Sequence, residues 1–279
     1  MNTLQDALRR AATAGLDRLD AQMLLLHALG RSPHDRAWLI AHDSDPLTAD
    51  AADRWGALLQ RRQAGEPVAY LLGEKEFGGL TLAVDARVLV PRPDTEVLVE
   101  WALDALPPGG ANVPRLLDLG TGSGAIALTV ADRRPNVHVT ATDASADALA
   151  VAQANAQRLG LAVRFAYGAW LAAVPGERFD VIASNPPYIA EGDHHLAALT
   201  HEPIGALTAG PDGLDDIRQI VAHAPSALNP GGWLLLEHGH DQAAAVREQL
   251  GAQGFEAVSS RTDLAGIERC SGGRWPGLR

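Results

Sequence analysis

Residues 179 to 190 read FDVIASNPPYIA. An apolar run from Phe179 to Ala183 ends in Asn185, Pro186, Pro187 and Tyr188. Two consecutive prolines remove two backbone N–H donors and fix φ near −65°. The residue before each proline is pushed toward extended conformations. The turn is therefore stiff, and it offers carbonyl oxygens without competing donors. Asn185 adds a side-chain carbonyl, and Tyr188 a flat ring. Such a set of acceptors suits a planar –NH2 group. The Asn185 side-chain oxygen can hold one hydrogen and the Pro186 carbonyl the other, while Tyr188 covers the flat face. A merely tight turn would explain the prolines, but not an amide at the end of a strand.

A second motif, DLGTGSGAIAL, spans Asp118 to Leu128. Gly120, Gly122 and Gly124 allow a sharp turn and close approach of a ligand to the backbone. The N-terminus of the following helix offers free N–H groups to a negative group. Asp143 ends the next expected strand, where a carboxylate binds ribose hydroxyls. Gly120, Gly122 and Ala125 also satisfy the dinucleotide pattern. S-adenosylmethionine (SAM) differs from a dinucleotide in carrying an ammonium and a sulfonium instead of a pyrophosphate. Asp118, just before the turn, would repel a pyrophosphate and attract an ammonium, which tilts the reading to SAM. A planar nitrogen held by the Asn185 turn would then be aimed at the sulfonium methyl. That is catalysis by positioning and electrostatic stabilisation. No strong base is needed, because the nitrogen becomes acidic only as it gains the methyl group.

The surrounding pattern supplies the elements that hold these motifs. From 112 onward, strand-like and helix-like segments alternate. RLLDLG, VHVTATD, AVRFAYG, FDVIASN and GGWLLLEHG read as strands. FEAVSSRTD and IERCSGGRW add two more at the end, in antiparallel sense. Helical segments lie between them. This alternation implies an α/β fold: a mostly parallel seven-stranded sheet with helices on both faces. Ligands in such folds sit outside the carboxyl ends of the strands, where the glycine turn, Asp143 and Asn185 all fall.

Residues 1 to 72 read instead as a small helical bundle, with a role in bracing or in recruiting a partner. Thr3 with Asp6 makes a capping box. Leu19, Met23, Leu26 and Leu29 give the stripe of a second helix. Ser32 with Asp35 makes a second box with Pro33 at the first helical position, and Thr48 starts a further helix. Residues 73 to 91 alternate around Gly78 and Gly79, which predicts a hairpin linker. The third domain then covers 92 to 279.

The net charge is −11. Proteins that grip naked nucleic acid usually present a basic face, so direct nucleic-acid binding is not expected; an acidic enzyme suits a basic protein partner. The one cysteine, Cys270, allows no internal disulfide and no thiolate zinc site. The first twenty residues lack the apolar run of a signal peptide, and no stretch reaches membrane-span length. A cytoplasmic monomer is expected. His194 with His195, and His238 with His240, lack carboxylate or cysteine partners at ligand spacing, so no metal is expected.

The NPPY turn after the fourth strand resembles that of methyltransferases acting on adenine, cytosine and glutamine amides. Across nearly the whole chain the sequence resembles the bacterial release factor glutamine methyltransferases (the PrmC/HemK family). The resemblance rests on GEPVAYLLGEKEF, VLVPRPDTEVLVE, DLGTGSGAIAL, SNPPYI, AGPDGLDDIRQI and LEHGHDQ, in that order and spacing. It implies a Rossmann-like SAM-dependent fold, with methyl transfer to the glutamine of the Gly-Gly-Gln loop of class-1 peptide release factors. Gly120, Thr121, Gly122, Ser123, Gly124, Asp143, Trp170 and Asn185 would then line the SAM site. Asn185, Pro186, Pro187 and Tyr188 would hold the glutamine. Arg92, Thr95 and Glu96 stand where the PRPDTE element flanks the mouth of the site, with helix capping as the competing role. Trp170 as plain core is the other reading for that residue. Ala169 occupies a position that is acidic in many SAM enzymes. Ribosomal-protein glutamine methylation, DNA or RNA amino-methylation, and a non-catalytic SAM-binding module are the alternatives.

Overall fold

The computed structural model describes residues 3–110 and 112–277. The chain divides into two compact units, one ending at Glu74 and the other beginning at Lys75.

The first unit is helical: α1 (Leu4–Thr13), α2 (Arg18–Ala28), α3 (Arg36–Ala41), α4 (Ala49–Gln63) and α5 (Val68–Leu72). The Thr3 hydroxyl accepts the Asp6 N–H at 3.2 Å, and the Asp6 carboxylate accepts the Thr3 N–H at 3.3 Å. Thr48 caps α4 as expected. The second expected box does not form. Ser32 to His34 make a turn, and α3 starts at Arg36, with Asp35 accepting the Trp38 N–H. The stripe assigned to α2 is also displaced, since Leu19 is 45% exposed. Of the expected stripe Leu26 is buried, and Ala21, Leu24, Leu25 and Ala28 are buried with it. This helix packs against α1, α3, α4 and α5, so apolar residues surround it rather than line one side.

A hairpin follows, β1 (Glu74–Phe77) and β2 (Leu80–Ala83), turned by Gly78 and Gly79 at φ +57° and +85°. The hairpin is shorter than the 73–91 segment expected. Residues 84 to 91 form no strand. Their alternation survives because Val84, Val88 and Val90 are buried in side-chain packing rather than paired in a ladder.

Then follow α6 (Thr95–Ala105), β3 (Arg115–Leu119), α7 (Ala125–Arg133), β4 (His138–Asp143), α8 (Ala146–Leu159), β5 (Val163–Tyr167), β6 (Phe179–Ser184), α9 (Asp215–Ala227), β7 (Leu228–Glu237), α10 (Ala243–Gln253), β8 (Glu256–Thr262) and β9 (Glu268–Arg274). The seven-stranded sheet has the order β5-β4-β3-β6-β7-β9-β8. β3 to β7 are parallel, while β9 is antiparallel to both neighbours. Strand period 2 splits the core into two layers. Leu116, Val181 and Leu235 pack on the α6–α7 face. Leu117, Ile182 and Leu234 pack on the α9–α10 face. The chain reverses its order across the sheet between β3 and β6, and a crevice opens there at the carboxyl ends. Cys270 is fully buried in β9, opposite Glu237.

Candidate active site

The glycine turn leaves β3 and enters α7. The N–H groups of Gly120 and Thr121 both donate to the Thr142 carbonyl at 2.9 Å, which pins the turn to the end of β4. Gly120, Gly122 and Gly124 have φ of +71°, +55° and +89°, a region costly for side-chain-bearing residues. Asp143 braces the turn from below, since its Oδ2 accepts the Gly122 N–H and its Oδ1 the Ser145 N–H, both at 2.9 Å. Each of its oxygens can accept a second bond.

Asp118 differs from expectation. It is fully buried and does not line the cleft. Its Oδ2 accepts the Thr121 hydroxyl at 2.6 Å and the Ala127 N–H at 3.2 Å, so it ties the turn to α7. Its Oδ1 has no hydrogen-bond partner among the described residues. Burial pushes the carboxyl up to about 7, against the pull of those two donors.

A cleft of about 470 Å³ runs from this turn to the end of β6. Gly120, Thr121, Gly122, Ser123, Asp143, Trp170, Asn185, Pro187, Arg92 and Thr95 line it. Gly124, Pro186, Tyr188 and Glu96 do not. Gly124 instead caps α7. Pro186 is buried. Glu96 is a correction: it is exposed on the first turn of α6 and lines a second cavity with Glu76, Glu100 and Arg133.

Trp170 is no plain core residue. Its φ is +47°, uncommon for a bulky side chain, and its ring lies 3.3 Å from where a Cβ on Gly120 would sit. It donates to Asp216, whose carboxyl is raised by burial and lowered again by that bond. Asp216 also lines the cleft. A carboxylate thus reaches this wall from α9, although Ala169 offers none.

At the end of β6, the Ser184 hydroxyl donates to the Leu119 carbonyl at 2.7 Å. Asn185 Nδ2 donates to Thr95 Oγ1 at 3.2 Å. Gln242 grips the far side of the turn, with Nε2 donating to the Tyr188 carbonyl at 3.0 Å and to the Asp212 carbonyl at 3.2 Å. Gly213 passes so close that a Cβ there would sit 2.2 Å from the Tyr188 oxygen. The AGPDGLDD and LEHGHDQ motifs therefore meet behind the Asn-Pro-Pro-Tyr turn. Burial pushes the Tyr188 hydroxyl well above its usual range. Glu237, at the end of β7, is 1% exposed, and burial pushes it up to about 7. Donors on Thr95 and Asn185 and the charge of Arg269 oppose that rise, while Asp94 adds to it.

Glu202, also buried, receives the Val90 N–H at 3.0 Å and a charge-assisted bond from Arg92. It fastens the 194–206 segment, with Pro203, Gly205 and Ala206, along the cleft. Sequence reasoning missed Glu202, Asp216, Gln242 and Glu237, because each acts from a segment far along the chain. It also missed that Asp193 stands beside His194 and His195. Their ligand atoms lie within 4.8 Å of one another, on a largely exposed surface. That corrects the expectation that the pair has no carboxylate neighbour; Asp193 Oδ1 already meets the His195 N–H and ring, each at 2.8 Å.

One wall of the cleft is a braced glycine turn and the facing wall an acceptor-bearing turn, both at the reversal point of the sheet. In this fold that pairing defines a Rossmann-like methyltransferase. Residues 95–206 match the Methyltransferase small domain, and residues 2–73 match the PrmC N-terminal domain. The chain is 55% identical to the release factor glutamine methyltransferase of Bordetella pertussis over 98% of this chain and 99% of that one. It is 52% identical to that of Burkholderia pseudomallei, over 99% and 100%. A crystal structure of a methyltransferase from Pyrococcus furiosus shares the fold, with a TM-score of 0.55 and 24% identity over 78% of this chain and 100% of that chain. The chain belongs to the family of release factor glutamine methyltransferases.

Proposed function

We propose that this protein transfers a methyl group from SAM to the side-chain nitrogen (N5) of the glutamine in the Gly-Gly-Gln motif of class-1 peptide chain release factors. The observation that carries this reading is the Asn185 amide. Its Nδ2 is tied to Thr95 while Asn185 lines the cleft, so Oδ1 is left to accept from a substrate –NH2.

The cleft suits SAM. The turn at Gly122 is open, since a Cβ there would meet nothing within 4 Å. Asp118, sealed beneath α7, holds the turn in shape for that ligand through Thr121 and Ala127 rather than meeting it. Asp143 has spare acceptor capacity for ribose hydroxyls, and the Trp170–Asp216 wall would flank the adenine. Bound there, SAM supplies an electrophilic methyl group on a sulfonium.

The chain's own residues do the rest. Asn185 Oδ1 accepts one hydrogen of the glutamine amide. The Pro186 carbonyl, between two lining residues, accepts the other. Holding both hydrogens fixes the plane of the nitrogen and raises its electron density as the N–C bond forms and the S–C bond breaks. One of those hydrogens then leaves as a proton to solvent. Neither proline offers an N–H to compete for the acceptors. Arg92, fastened to Glu202, and Thr95 shape the entrance.

Mass spectrometry after incubation with SAM tests the reading. A class-1 release factor should gain one methyl group on the loop glutamine, and a Gly-Gly-Ala variant none. Methyl on a ribosomal protein or on duplex DNA instead would move the substrate. No transfer to any of them would remove the reading.

A further inference from the structure

Glu237 is a costly residue to bury. It is 1% exposed, and its Oε2 makes no hydrogen bond among the described residues. A glutamine would fill the same volume without the desolvation cost of a carboxylate. The nearest cation is not its own, since Arg269 pairs with Asp94 at 3.3 Å and Asp263 at 3.1 Å. Yet Glu237 sits beside the reacting turn. Strands β6 and β7 run in parallel with Ser184 opposite Leu236, so Asn185 and Glu237 are the next residues on each strand. By alternation both turn to the α6 side of the sheet, where Thr95 begins that helix.

We propose that Glu237 is a positioning residue for Asn185: it accepts the Thr95 hydroxyl and so obliges Thr95 Oγ1 to accept from Asn185 Nδ2, which presents Asn185 Oδ1 to the substrate nitrogen. This deepens the function proposed above and rests on it only for the identity of the substrate nitrogen.

The reason lies in the symmetry of an amide. The two ends of Asn185 are nearly equal in size, so packing alone does not choose between them. A threonine hydroxyl donates once and accepts, so it transmits a direction instead of setting one. A carboxylate only accepts, and Glu237 draws on both Thr95 and Asn185, so it fixes the sense of the whole chain: Asn185 to Thr95 to Glu237, with Asn185 also donating to Glu237 itself. If Glu237 is protonated, its O–H can donate to Thr95. The chain then reverses, and the –NH2 of Asn185 faces the –NH2 of the substrate, donor against donor. The ionised carboxylate also polarises the chain, making Oδ1 a stronger acceptor. The other groups facing Glu237 are Asp94, Arg269, Tyr188 and Cys270, with His238 next along the strand. Asp94 opposes its ionisation and Arg269 favours it. Tyr188 and Cys270 stay neutral, because burial holds both well above neutrality. The Glu237 carboxyl, at about 7, is thus the group able to reverse the chain in the neutral range. Asp118 titrates in the same range but lies on β3, bound to α7.

The test reads the free full-length protein first. With asparagine labelled in the side chain, the Asn185 –NH2 resonances, assigned by their loss in Asn185→Asp, should shift with pH around the Glu237 value. In Glu237→Gln they should not. Persistence of the titration in Glu237→Gln would assign it to Asp118 and overturn the proposal, as would its absence in the wild type. Kinetics with SAM and a release factor form the second arm. Thr95→Val and Glu237→Gln should each lower kcat by about tenfold or more, with the KM for SAM within about threefold, and the double variant should lose clearly less than the product of the two. Thr95→Ser, which keeps the hydroxyl, should restore most of kcat. Losses that multiply in the double variant, or that fall on SAM affinity, would overturn the proposal. Failure of the wild type to methylate the release factor would remove the substrate reading and leave the resonance titration to decide this one.

Discussion

Asn185 is the residue on which the reading turns. If the proposed mechanism holds, Asn185→Ala removes one of two acceptors for the substrate hydrogens and leaves the glycine turn untouched. Turnover should fall by roughly two orders of magnitude or more, as for loss of a transition-state hydrogen bond. Calorimetric affinity for SAM should stay within a few-fold; an equal loss of both would make Asn185 a wall of the cofactor pocket instead. The acceptor turn was legible from residue types alone, because prolines and an amide have a fixed chemistry wherever they fall. Side was harder to read. The charge of Asp118 suggests a group facing the ligand, but alternation along β3 puts it with Leu116, on the face covered by α7. Glu96 sits next to Thr95 in the PRPDTE element, yet adjacent helical residues point about 100° apart, and Thr95 is the one that faces the cleft. Both signals were present in the sequence.

Among the elements, the glycine turn and the hairpin are joined by one side chain. Asn155 of α8 is fully buried. Its Nδ2 donates to the carbonyls of Ala83 and Ser123, both at 3.0 Å, and its Oδ1 accepts the Ala83 N–H at 2.8 Å. Asn155→Ala strands these backbone groups in the interior, at a cost of roughly 2–4 kcal/mol. The urea midpoint should drop accordingly, and SAM affinity with it, because Ser123 lies in the turn. An unchanged midpoint would mean that water replaces the amide. Nothing in the sequence marks this residue, since its partners lie 32 and 72 positions away. The helices and strands themselves were legible because period, caps and glycines are local. What failed was what depends on neighbours: α2 is surrounded by helices and shows no single stripe, and residues 84 to 91 alternate without a partner strand.

For the whole molecule, two buried carboxyls set the response to pH. Asp118 and Glu237 are both raised to about 7, so the folded state holds protons that the unfolded state has released. The stability this confers is fully present below the unfolded carboxyl range and is lost as pH rises through about 7. His238 works the other way: burial lowers it, so its contribution is lost as pH falls below the usual histidine value of 6.5. Above the histidine value of 6.5 the His238 contribution tails off, and the two carboxyls dominate until they too are ionised above about 7. The melting temperature of the ligand-free protein should therefore fall between about pH 6.5 and 8. The slope should flatten when Asp118→Asn and Glu237→Gln are combined; a slope that survives both would assign it elsewhere. The α/β architecture was legible because alternation of strands and helices leaves few topologies open. The sites that bend this pH curve were not, because desolvation is a property of the assembled core.

The lone thiol of Cys270, buried in β9 against Glu237, makes the chain its own clock. A thiol reagent finds no target on the intact surface, and burial keeps the sulfur protonated besides. Labelling can proceed only when the central sheet opens. Because the chain has one cysteine, each labelled molecule records a single opening event. The rate of mass gain under native conditions thus measures how readily the sheet beneath the Asn-Pro-Pro-Tyr turn comes apart, with no residue replaced.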